Sequence, residues 1–76
     1  MSRIEINKCI KTNMVSFSWH ASERMRERRI NKMVLIQALM YGLLRKDAND
    51  KTVVSYRNIN VVIAANSIGI VICTVY

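Results

Sequence analysis

The C-terminal third constrains the fold most. Val61-Val-Ile-Ala-Ala65 and Ile70-Val-Ile-Cys-Thr-Val75 are apolar and β-branched, with Asn66, Ser67 and Gly69 breaking them apart. Branching at Cβ stiffens a side chain against the preceding helical turn and suits it to a pleated surface. Neither run approaches the ~20 apolar residues that a membrane-spanning helix needs. They read as two buried strands around a hairpin turn at Asn66-Ser67, central in a sheet covered on at least one face. Thr52–Arg57 reads as a strand before them, with Asn58–Asn60 as a tight connection. Leu43-Leu44-Arg45 starts a shorter one, ahead of a polar turn at Asp47–Asp50.

Upstream of Gly42 the period is helical. Ser2-Arg-Ile-Glu5 has the form of a capping box, and Ile6, Cys9 and Ile10 follow at helical spacing, which fits a short helix over 3–12, while the alternation of Ile4 and Ile6 leaves a strand open. Met14–Phe17 reads as an extended connector. Ser18 is an N-cap for a second helix over 19–28, in which Ala21 and Met25 face the core. Arg29-Ile30-Asn31 forms a joint, and Asn31 caps a third helix over 32–41. Val34, Leu35, Ala38, Leu39 and Tyr41 supply its apolar face, Met25, Met33 and Met40 are packing residues, and Gly42 lies where a helix end favours a left-handed residue. Helices first and strands last predict a single α+β domain over 1–76: two or three helices on a three- to four-stranded antiparallel sheet.

Twelve Lys and Arg against five acids give a net charge of +7. That favours a polyanionic partner such as RNA, DNA, an acidic protein or an anionic membrane, and charge alone does not choose among them. Cys9 and Cys73 match no metal or redox spacing and read as buried reduced thiols of a cytoplasmic protein. One histidine without a usable cysteine pair argues against a metal site, and no cofactor motif is present. The N-terminus shows no apolar leader, so a cytoplasmic chain without a membrane partner is expected. A domain this small gains readily from self-association, which makes a homo-oligomer a further candidate.

One constellation looks like chemistry. His20, Arg24 and Arg28 fall at i, i+4 and i+8 of the second helix, so a base that titrates near neutrality lines up with two guanidiniums. Metal-independent RNA cleavage needs a base for the 2′-OH proton, cations on the phosphate and an acid for the leaving oxygen. Arg26, Arg29 and Lys32 add a basic rim, and exposed Trp19 would offer a stacking surface.

The pattern His20-Ala21-x-x-Arg24-Met25-x-x-Arg28-x-Ile30, with Val34, Ala38, Gly42 and the ending Val71-Ile-Cys-Thr-Val-Tyr76, resembles the domain-of-unknown-function 4258 family. That family usually has Gly where this chain has Arg29. It looks like a relative of the RelE/ParE-type toxins and of the wider barnase–EndoU–colicin–RelE ribonucleases, which implies basic, His and Tyr residues on or beside an antiparallel sheet. The resemblance implies a ribonuclease-like toxin domain acting through His20, Arg24 and Arg28, with Tyr76 at the sheet end and Arg57 on a strand. An acidic antitoxin-like protein would then be its partner. Two other classes stay open: a non-catalytic nucleic-acid-binding module of phage or mobile-element origin, and a protein-interaction module.

Overall fold

The computed structural model describes residues 1–76. Its elements run α1 (Arg3–Lys11), β1 (Val15–Phe17), α2 (Trp19–Arg28), α3 (Lys32–Tyr41), β2 (Leu43–Lys46), β3 (Thr52–Tyr56), β4 (Ile59–Ala65) and β5 (Ile70–Val75). The fold is α+β, as the order of periods implied. The capping residues act as the sequence suggested. Ser2 and Glu5 close a reciprocal box on α1, Ser18 accepts from Ala21 N–H, and Asn31 accepts from Val34 N–H.

The sheet has five strands in the order β1-β5-β4-β3-β2, not three or four. The added strand is β1, expected as a connector, which pairs parallel to β5 through Val15↔Ile70 and Phe17↔Ile72. Its partner lies more than fifty residues away, so nothing local marks it. The other pairs form the antiparallel meander β2-β3-β4-β5, and β1 beyond β5 leaves β3, β4 and β5 interior to the sheet. All three helices lie on one face. Ile6, Ala21, Met25, Leu35, Ala38 and Leu39 share a buried cluster with Val54, Val61, Ile63, Ile70, Ile72 and Val75. Because strand side chains alternate, Arg45, Val53, Ser55, Asn60 and Val62 point to the opposite, open face.

Three expectations need correction. Gly42 is not left-handed but extended, at φ −76°. It is required for space: a Cβ there would sit 2.6 Å from the Ala38 carbonyl oxygen and from Val54 Cγ1. The apolar face of α3 is narrower than its composition suggests. Leu35, Ala38 and Leu39 are buried, whereas Met33, Val34, Met40 and Tyr41 are exposed. Cys9 and Cys73 are free but only half-buried. No helix is long and apolar enough to cross a membrane.

Candidate functional site

Ser18 places α2. Its hydroxyl accepts from Ala21 N–H at 3.0 Å and donates to the Cys73 carbonyl at 2.7 Å. Cys73 is the extra residue where the β4–β5 register shifts, so its carbonyl has left the regular ladder and is free to take this bond. Helix α2 is thereby tied to β5, with Ala21 and Met25 inward and the polar stripe outward.

The structure divides that stripe. His20 and Arg24 line a shallow hollow of about 300 Å³ together with Trp19, Glu23 and Glu27. Trp19 is exposed and meets His20 edge-on, with ring centroids 5.4 Å apart. Arg24 pairs with Glu27 at 3.8 Å. Arg26 pairs with Glu23, whose hydrogen bond and charge hold the guanidinium pKa above its ordinary value. Two carboxylates against one arginine leave the walls of this hollow without a positive surplus. Lys32 sits over the Phe17 ring, 5.4 Å from its centroid.

At the other end of α2 the electrostatics reverse. Arg28, Arg29 and Arg57 line one cleft of about 200 Å³, beside Tyr56 and Asn58. Arg28 Nη2 donates to the Asn58 carbonyl at 3.1 Å, and Arg57 lies over the Tyr56 ring, 5.3 Å from its centroid. The chain's three ion pairs are Arg24–Glu27, Arg26–Glu23 and Lys46–Asp50, so no carboxylate neutralises these guanidiniums. Two of the three sit on left-handed backbone, Arg29 at φ 56° and Arg57 at φ 54°. Arg29 closes α2 in a Schellman arrangement: Ile30 N–H reaches Met25 O at 2.8 Å and Arg29 N–H reaches Arg26 O at 3.2 Å. Arg57, expected on a strand, instead opens the two-residue turn between β3 and β4, because its left-handed backbone ends the ladder at Tyr56. Left-handed backbone disfavours any side chain with a Cβ, so each arginine is kept at a conformational cost.

Tyr76 lines neither recess. It continues β5 and exchanges backbone hydrogen bonds with Asn60 at 2.7 and 2.9 Å. Its hydroxyl accepts from Arg45 Nη2 at 3.1 Å. Arg45 is the residue that sequence reasoning missed. Alternation along Leu43-Leu44-Arg45 was enough to put it on the face away from Leu44, but its contact with Tyr76 spans 31 positions and depends on sheet register.

A family model described as Domain of unknown function (DUF4258) matches residues 17–76. No curated protein and no solved structure matches the chain.

Proposed function

We propose that this chain, which belongs to the DUF4258 family, binds single-stranded nucleic acid, RNA first, through the cleft of Arg28, Arg29 and Arg57. One observation carries the reading: three arginines without a carboxylate partner line one recess of about 200 Å³. A guanidinium donates to phosphate in a planar fork, and exposed Trp19 at the far end of α2 offers a base a stacking surface. The net charge of +7 strengthens attraction at a distance.

Metal-independent RNA cleavage is the second reading, and it too rests on one observation. His20 is exposed and makes no hydrogen bond, so its imidazole is free to accept a proton from a strand lying along α2. Arg24 would then face the phosphate and release Glu27. If the domain is toxin-like, an acidic antitoxin-like partner fits the same basic end.

The test is binding of single-stranded RNA across a salt series in excess chelator, with gel analysis of the RNA afterwards. Each phosphate contact contributes a slope of roughly −0.7 in log affinity against log salt for single strands. The double substitution R28Q/R57Q should weaken binding about a hundredfold, roughly tenfold per charge-assisted contact, and flatten the slope. Unchanged affinity in that variant would remove the cleft as the site. Cleaved RNA that survives in His20→Ala would remove the imidazole from the chemistry.

A further inference from the structure

The open face of the sheet carries a second fixed cation. Arg45 Nε donates to Ser55 Oγ at 3.3 Å, and Nη2 donates to Asn60 Oδ1 at 3.3 Å and to Tyr76 Oη at 3.1 Å. Ser55 Oγ in turn donates to Asn60 Oδ1 at 2.7 Å. Every acceptor in this network is neutral. No ion pair involves Arg45. The side chain is therefore held in place by neutral acceptors, without a carboxylate partner.

Arg45 has five N–H groups, and Nη1 makes no bond in the cluster. The Tyr76 oxygen accepts from Arg45, so its own O–H is directed away from the guanidinium and is free to donate. Nη1 and the phenol thus form a pair of donors beyond the C-terminal end of β5, where Tyr76 is 50% exposed.

The position matters as much as the chemistry. Ile59 lines the Arg28–Arg29–Arg57 cleft on the helix side, and the next residue, Asn60, anchors Arg45 on the open side. Consecutive strand residues point to opposite faces, so the two cationic places lie back to back across the start of β4. Arg57 stands at the turn between them.

We propose that Arg45 and Tyr76 form a second phosphate site, and that one nucleic-acid strand bends round the β3–β4 turn to reach both faces. The inference rests on the binding reading above and extends it from a cleft to a path. The ligand is a phosphodiester group, held by the unspent Arg45 donor and the Tyr76 hydroxyl.

The experiment compares wild type, R45Q, Y76F and R28Q for binding to an oligouridylate long enough to fill a site of ~4–16 nucleotides. R45Q should bind about tenfold more weakly, with a salt slope shallower by roughly 0.7, and Y76F roughly threefold more weakly. Wild-type affinity and slope in R45Q and Y76F, with R28Q weakened, would overturn the second site and leave the cleft standing. No binding by wild type at low salt would overturn both. Should R45Q fail to fold, Y76F still decides, because it deletes one exposed hydroxyl and keeps the ring. A purely structural network would lower the melting temperature without moving the salt slope.

Discussion

Helices α2 and α3 have the same length and the same kind of N-cap, yet they end in opposite ways. The end of α2 closes locally, with left-handed Arg29 and a pair of backbone hydrogen bonds inside six residues. The end of α3 borrows its closure from a distant residue. Arg3 of α1 donates to the carbonyls of Leu39, Met40 and Gly42, which a helix C-terminus otherwise leaves without partners. The positive side chain also complements the negative end of the helix dipole. Arg3 is consumed in joining α1 to α3, and Arg24 and Arg26 are held by glutamates, whereas Arg28, Arg29, Arg45 and Arg57 have no carboxylate partner. The self-closing end of α2 leaves Arg28 and Arg29 without an ion pair, although Arg26 in the same last turn is held by Glu23.

The strongest test of this contrast is Gly42→Ala. The new methyl would overlap the Ala38 carbonyl oxygen and Val54 Cγ1, so the junction of α3 and β2 must move. Overpacking against backbone should cost about 3 kcal/mol in chemical denaturation. Arg3→Met comes next. It keeps the aliphatic reach but strands three carbonyls, and about 2 kcal/mol should be lost while RNA affinity stays within twofold of wild type.

Arg29→Gly sharpens the comparison because stability and binding should move in opposite directions. Glycine adopts the left-handed backbone without steric cost, so the protein should gain roughly 0.5–1 kcal/mol in denaturation. One phosphate contact is lost at the same time, which should weaken RNA binding several-fold. A gain in stability with unchanged affinity would show that Arg29 does not face the strand.

The smallest effect belongs to α1. The Ser2 backbone N–H, which donates to Glu5 Oε1, and then the Ser2 side chain lower the pKa of Glu5 from its ordinary value. A carboxylate whose pKa is lowered on folding stabilises the native state above its unfolded pKa, and that contribution fades as pH falls through the folded value. The end of α1 should therefore loosen slightly under acid. Circular dichroism of wild type and Glu5→Gln through the acid range checks this: the difference between them should shrink as Glu5 is protonated. A constant difference would exclude the carboxylate as its cause.

Much of this protein is local and therefore legible in the residues. Ser2, Ser18 and Asn31 mark the helix starts because a cap acts over three positions. The β-branched runs mark β4 and β5 because strand preference follows the side chain itself. The Arg29 position could be read as a left-handed helix end only through the family's glycine, since an arginine does not announce that conformation.

What the residues could not show is set by contacts between distant parts of the chain. The parallel pairing of β1 with β5, the exposure of Met33 and Tyr41, and the use of Arg3 as the cap of α3 all depend on which element lies alongside which. The same holds for the candidate site. Spacing put His20, Arg24 and Arg28 on one stripe, but packing decided that the first two share a hollow with Glu23 and Glu27 while the third meets Arg57. Composition and periodicity determined the second and third helices, a charge of +7 and the two C-terminal strands, because those follow from side-chain chemistry and near-neighbour geometry. Only the tertiary structure decided which cations stay free. Ion pairing acts through space at a few ångströms, and sheet register and helix packing choose the neighbours.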